Sequence, residues 1–306
     1  MNNNKKALIY AAISILSWST VATAFKVALR ELSTFEMLLI ACLTSLVIFS
    51  LLITFQSKWG IVKKLTFNEW SIISGLGLLN PVLYYIVLFK AYDLLPAQIA
   101  QPINYFWPIL LTIMLAVYLK QSIPLNKYVG MVISFIGVIC ISVGGKQNVE
   151  MNIPISGLVL ALSSAFIWAL YWLVSNKIKL SNDNIILLFG TFLFGSLYML
   201  IGSIFIDVNI TSLNGLLSGI YIGLFEMGIP FIFFGMAIRY TNNHALIDQL
   251  CYLSPFMSLF IISIVLGEHI LPSTYIGLCF IIAGIIYNQY LADKLGLIKN
   301  KVLKIK

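Results

Sequence analysis

The chain has 306 residues, of which 60% are hydrophobic and 10% charged, and its net charge is +8. Soluble domains carry about 25% charged residues, so there is too little polar surface here for a water-soluble enzyme, and the apolar content excludes disorder. A membrane-spanning helix takes about 20 residues, so ten would fill most of the chain and leave only loops and tails.

In chain order, apolar runs between polar breaks predict spans at 7–28, 36–55, 71–92, 97–118, 128–144, 155–175, 185–206, 214–238, 245–266 and 275–291. The first run follows Lys5 and Lys6, as in a signal peptide. It is too long for one and has no small-residue cleavage site, so it reads as an uncleaved span. Cys42, Cys140, Cys251 and Cys279 each stand alone in an apolar run, which indicates neither a disulfide frame nor a metal site. With the amino terminus in the cytoplasm, only Lys26, Arg30, Lys90 and Lys146 fall on the outer side, and the other cations are inside. That asymmetry is the positive-inside pattern. Both termini are therefore expected to be cytoplasmic, and the positive charge is a topology signal, not a footprint for nucleic acid. The Ile-, Lys- and Asn-rich composition suggests a bacterial cytoplasmic (inner) membrane.

The chain also repeats itself. At a shift of 147, Tyr105 meets Tyr252, Pro108 meets Pro255 and Gly137 meets Gly284. At 150, Trp18 meets Trp168, and at 146, Gly77 meets Gly223. Five spans per copy is an odd number, so the second copy must enter the bilayer upside down. The expected fold is an all-α membrane protein of ten transmembrane helices in two inverted five-helix repeats, residues 1–146 and 147–293, followed by a basic cytoplasmic tail at 294–306. Inverted repeats of this kind are typical of secondary transporters, with a substrate site near the midplane.

The segments "SWSTVATAFK" and "AFIWALYWLVSNK", and the Pro108 and Pro255 helices ending in "YLKQSIP" and "LGEHILP", resemble the EamA-type repeat of the drug/metabolite transporter superfamily. Within it, "PINYFWPILLTI" and "AFIWALYWLVSNK" are similar to the aromatic amino-acid exporter branch. The resemblance implies ten helices around a central cavity and movement of small metabolites, often outward.

Polar side chains within spans usually face protein or a wet cavity. On span four, Gln101, Asn104, Tyr105, Pro108 and Thr112 share a face. Asp248, Cys251, Tyr252 and Pro255 answer on span nine. Ser164, Trp168, Tyr171, Trp172 and Ser175 form a stripe on span six, opposite Ser14 and Trp18 on span one. Gly77, Asn80 and Tyr84 align on span three, and Gly223, Glu226 and Pro230 on span eight. The expected substrate-binding set is Trp18, Asn80, Tyr84, Gln101, Asn104, Tyr105, Trp168, Tyr171, Trp172, Glu226, Asp248 and Tyr252. The mixture of rings, amides, hydroxyls and carboxylates suits a small zwitterionic or cationic solute. The competing reading makes the aromatics packing or interfacial residues.

Glu226 lies mid-span, where a charge costs about 2.5–3.5 kcal/mol on insertion scales. It is the candidate for proton coupling or for pairing with a substrate ammonium; the alternative is a protonated Glu hydrogen-bonded between helices. Asp248 lies near a helix start, which suits a carboxylate for structural reasons too. Pro81, Pro108, Pro230 and Pro255 are hinge candidates, or else static kinks. Lys26 and Lys90 read as snorkelling cations, and His244 and His269 as loop residues. Gly219 and Gly223 suggest close helix packing. Spans five and ten, with almost no polar interior residues, read as scaffold or a dimer surface.

The sequence reading is thus an exporter of amino acids or related amines, acting as a monomer or homodimer, with lipid, a small-molecule substrate and protons as its partners and with neither metal nor cofactor. A carrier of another solute class (a drug or cation, or a nucleobase) and a membrane-embedded enzyme are the alternatives. Against the enzyme, HExxH and GxSxG do not occur, and GxxxxGK[ST] is missing too, which excludes ATP as the energy source.

Overall fold

The structure, a computed structural model, describes residues 3–95, 100, 103–120, 125–143, 154–177, 183–266 and 272–288, and every regular element among them is helical. These are α1 (Asn3–Ala28), α2 (Thr34–Phe55), a short α3 (Trp59–Val62), α4 (Phe67–Gly77), α5 (Tyr84–Leu94), α6 (Trp107–Leu119), α7 (Leu125–Val143), α8 (Ile155–Lys177), α9 (Asn184–Gly202), α10 (Leu213–Ile222), α11 (Ile229–Tyr240), α12 (His244–Leu250), α13 (Leu253–Leu266) and α14 (Pro272–Ile286). Wide turns over Leu78–Leu83 and Gly223–Gly228 join α4 to α5 and α10 to α11.

Among the described residues, seven stretches are long and apolar enough to cross a membrane: Asn3–Phe25, Thr34–Phe55, Phe67–Ala91, Ile155–Ser175, Asn184–Gly202, Leu213–Tyr240 and His244–Val265. Trp107–Tyr118, Leu125–Cys140 and Tyr275–Ile286 are shorter apolar helices. Their apolar outer faces leave residues such as Val117, Leu125 and Val159 exposed, which suits a lipid solvent. The protein is a multi-pass membrane protein.

Helix starts are fixed by side chains that satisfy free backbone N–H groups. Ser33 and Glu36 form a capping box at α2, and Thr66 and Glu69 form another at α4. Asp183 caps α9, Ser212 caps α10 and Asn243 caps α12. Glu36 also accepts the Asn209 amide at 2.6 Å, anchoring the loop before α10.

Each helix break coincides with a proline singled out in the sequence. A proline has no N–H for the carbonyl four residues back, and the chain departs from the α-helix there. Asn80, before Pro81, has φ −150° and ψ 125°, and the bond between them is cis. Turns at Tyr105–Phe106 and Cys251–Tyr252 precede Pro108 and Pro255. Around the Pro230 break, side chains of neighbouring helices donate to backbone carbonyls, that of Glu226 being the one that Pro230 leaves without its donor. Trp18 Nε1 donates to the Glu226 carbonyl at 3.1 Å, Ser45 Oγ to Gly223 at 2.9 Å and Ser14 Oγ to Pro230 at 3.0 Å.

Packing places α1 against α11 and α13, α8 against α5 and α6, and α2 against α9, with α7 and α14 joined along their length. A Cβ on Gly130 would come within 2.8 Å of the Gly284 carbonyl, so these two helices touch backbone to backbone. Gly219 and Gly223 similarly pack on Ile40 and Thr44 of α2, as their spacing suggested. The α7–α14 pair is less purely apolar than the sequence reading had it. Gln249 Nε2 donates to Gly130 O at 2.8 Å and to Ser134 Oγ at 2.7 Å, and Asn288 Nδ2 donates to Gln249 Oε1 at 2.7 Å. This buried polar knot ties α7 and the end of α14 to α12.

Candidate functional site

The kinked helices leave a cavity of about 150 Å3 on the side of the molecule where α1 and α5 end and α6 begins. It is lined from α1 by Trp18, Val21 and Phe25, from α5 by Tyr84 and Leu88, and around the start of α6 by Asn104, Tyr105 and Trp107. Trp168, Glu226, Cys251 and Ser254 complete it. A volume of this order accommodates one aromatic ring.

Aromatic rings form much of the wall. Trp168 stands 4.4 Å from Tyr84, 6.2 Å from Trp107 and 6.4 Å from Trp18, centroid to centroid. Among the described lining residues Glu226 alone bears a formal charge. Its Oε1 accepts the Tyr85 hydroxyl at 2.7 Å, while its backbone carbonyl holds Trp18. Asn104 is oriented by Ser164, to which Nδ2 donates at 3.0 Å, and by Tyr84, which donates to Oδ1 at 3.4 Å. A carboxylate between aromatic faces presents a natural seat for an ammonium group. Outside the lining further rings pack on these: Phe231 lies 5.4 Å from Trp168, 5.4 Å from Trp172 and 5.6 Å from Phe192, and Phe234 lies 4.8 Å from Trp172.

Of the residues expected from sequence, Trp18, Tyr84, Asn104, Tyr105, Trp168 and Glu226 meet at this cavity. Asn80, Tyr171, Trp172, Asp248 and Tyr252 are buried elsewhere. Thr112 Oγ1 donates to Asp248 Oδ2 at 2.7 Å, and Tyr252 packs with Val138 and Ile281. Gln101, His269, Lys146, the 146/147 boundary and the 294–306 tail lie outside the described residues.

Sequence reasoning missed Val21, Phe25, Leu88, Trp107 and Ser254. The repeat held a signal for two of them. At the shift of 147, Asn104 falls on Cys251 and Trp107 on Ser254, and all four line the cavity. The apolar three carry no such mark.

Among the described residues, no group of His, Cys, Asp and Glu could hold a metal ion. The chain carries instead two copies of one family pattern: the EamA-like transporter family matches residues 5–143 and again 155–288. The protein belongs to the EamA-like transporter family. That family is part of the drug/metabolite transporter superfamily, and membership makes this chain a transporter.

An uncharacterized transporter of Bacillus subtilis, YvbV, is 26% identical over 229 residues, 73% of each chain. One from Archaeoglobus fulgidus is 25% identical over 289 residues, 92% of this chain and 97% of its own. Another, from Clostridium kluyveri, is 28% identical over 175 residues, 56% of each chain. A solved crystal structure shares the fold with a TM-score of 0.81 at 19% identity, covering 95% of this chain and 99% of that one.

Proposed function

We propose that this EamA-family transporter is a secondary carrier that exports amino acids or related amines by alternating access between two inverted five-helix repeats, residues 1–146 and 147–293. The observation that carries the substrate class is the Glu226 carboxylate set among Trp18, Tyr84 and Trp168 in a cavity of about 150 Å3. An ammonium pairs with the carboxylate and lies on the ring faces, and an aromatic or aliphatic side chain fills the remainder. Asn104 and Ser254 offer polar contacts for the rest of the head group.

Several features support the repeat. The family pattern occurs twice. The contacts of α1 with α11 and α13 mirror those of α8 with α5 and α6. The wide turns at Leu78–Leu83 and Gly223–Gly228 fall at equivalent places in the two halves. Counting the three shorter apolar helices as crossings gives ten. Cation placement supports cytoplasmic termini in a bacterial inner membrane, which makes the cavity outward-facing, with the Phe231 and Phe234 rings closing the inner side. Pro81, Pro108, Pro230 and Pro255 are the proposed hinges, and Glu226 the proposed proton site. The carrier works as a monomer or homodimer.

Counterflow in proteoliposomes tests this reading. Vesicles preloaded with L-phenylalanine, phenethylamine or tryptamine are diluted into trace labelled solute. Saturable, transient accumulation of at least one is expected. Linear, non-saturating flux indicates a channel, and a response only to phosphorylated anions overturns the substrate class.

A further inference from the structure

Glu226 is a carboxylate inside a span, and among the described residues it has no ion-pair partner and a single side-chain donor. That donor is Tyr85, whose hydroxyl donates to Oε1 at 2.7 Å and leaves Oε2 without a hydrogen bond among the described residues. Tyr85 is not part of the cavity lining and is 1% exposed, so it reaches the carboxylate from behind the wall. Its ring is fixed there by Tyr84 at 4.7 Å, Phe89 at 5.7 Å and Trp168 at 6.5 Å, centroid to centroid. Successive residues of a helix point about 100° apart, which separates the two adjacent tyrosines. Tyr84 lines the cavity and donates to Asn104, while Tyr85 goes to the acid. With Trp18 on its backbone carbonyl, Glu226 is held at two points.

The repeat shows that this hydroxyl goes with the carboxylate and not with packing. At the shift of 146, Glu226 falls on Asn80 and Tyr85 on Phe231. Asn80 and Phe231 are both 0% exposed, so the second pairing is as buried as the first yet holds neither a charge nor a hydroxyl. Tyr and Phe fill nearly the same space and differ in the O–H alone. A ring is needed in both halves, and the donor stands only in the half whose partner is an acid.

We propose that Tyr85 is a positioning residue for transport: by holding Oε1 of Glu226 it fixes the carboxylate with its second oxygen open to the cavity, and so sets the preference for ammonium-bearing solutes over neutral ones of the same shape. The inference rests on the ammonium reading of Glu226 above, and it adds a residue that never touches the solute. A carboxylate removed from water needs its oxygens met. The hydroxyl meets one with a charge-assisted bond, which also stops the group from turning away. An ammonium brings three donors and a charge to the other, whereas an alcohol brings one donor and no charge.

Matched solutes test this on purified protein in detergent. Half-saturating concentrations of phenethylamine and of 2-phenylethanol are read from thermal stabilisation, which also reports whether each variant is folded. The wild-type protein is expected to bind the amine several-fold more tightly than the alcohol. Tyr85→Phe is expected to lose most of that preference by weakening the amine alone, and to change nothing further when added to Glu226→Gln. If Tyr85→Phe fails to fold, 4-fluorophenylalanine at position 85 fills the space of the hydroxyl without a donor. With 4-aminophenylalanine there, an N–H donor is restored and the preference is expected to return. A preference lost in Glu226→Gln but kept in Tyr85→Phe overturns the positioning role and leaves the ammonium reading standing. Equal weakening of amine and alcohol, the same loss in the Glu226→Gln background, or no recovery with 4-aminophenylalanine also overturns it. If the wild-type protein does not prefer the amine, the ammonium reading fails and the role of Tyr85 with it.

Discussion

The Trp18 indole donates its N–H to the backbone carbonyl of Glu226 at 3.1 Å, the carbonyl that Pro230 leaves without a helical donor. One ring therefore closes a helix break in the opposite half of the chain and also forms cavity wall. Trp18→Phe keeps an aromatic face but orphans that carbonyl, and a lost bond of this kind costs about 1–3 kcal/mol. The variant is expected to melt at lower temperature in detergent and to lose uptake. An unchanged melting temperature would show that the bond is not holding the break.

Glu226→Gln keeps the side chain's shape, its acceptor oxygen for the Tyr85 hydroxyl and the carbonyl that holds Trp18. It removes only the ionisable group. Uptake is expected to lose its response to a pH gradient and, since the substrate ammonium loses its carboxylate partner, KM is expected to rise, while the protein remains folded. If the gradient still drives uptake in Glu226→Gln, Glu226 is not the proton site.

Much of this site was readable because membrane helices advertise it. Polar residues at helical spacing located Asn104 and Tyr105, an isolated mid-span carboxylate located Glu226, and the repeat located Trp18 and Trp168. What failed was helix phase. The turns at Tyr105–Phe106 and Cys251–Tyr252 reset the 3.6-residue period. Trp107 and Ser254, off the predicted stripe, were brought into the cavity, and Tyr252 was turned onto Val138 and Ile281. Phe25, Val21 and Leu88 were invisible for a different reason: an apolar residue facing a cavity has the same sequence signature as one facing lipid or core. The long spans were legible from hydropathy, whereas the Gln249–Asn288–Ser134 knot depends on which helices meet, and periodicity says nothing of that.

Asp248 separates structural from transport roles. Its Oδ2 accepts from Thr112 Oγ1 at 2.7 Å, and the side chain is fully buried outside the cavity lining. Thr112→Val strands that oxygen at a cost of about 1–3 kcal/mol, while Asp248→Asn retains an acceptor for Thr112. The expected pattern is a lower melting temperature for Thr112→Val, a smaller change for Asp248→Asn, and unchanged KM for both per folded protein. A KM raised several-fold in Asp248→Asn would restore Asp248 to the substrate site.

The α7–α14 seam supplies a test of the packing itself. A Cβ at Gly137 would press on the Gly277 carbonyl and come within 2.8 Å of Ile281 Cγ1. Backbone cannot move aside as a flexible side chain can, so Gly137→Ala must push the helices apart, and overpacking of this sort costs about 1–3 kcal/mol. Gly75 provides the opposite case on α4, since a Cβ there meets nothing within 4 Å. With no contact to disturb, Gly75→Ala gains only helix propensity, about 0.5–1 kcal/mol. Melting in detergent should therefore move in opposite directions for the same chemical change. If Gly137→Ala were as stable as Gly75→Ala, the two helices could not be touching backbone to backbone, and the Gln249 knot that spans them would lose its geometric basis.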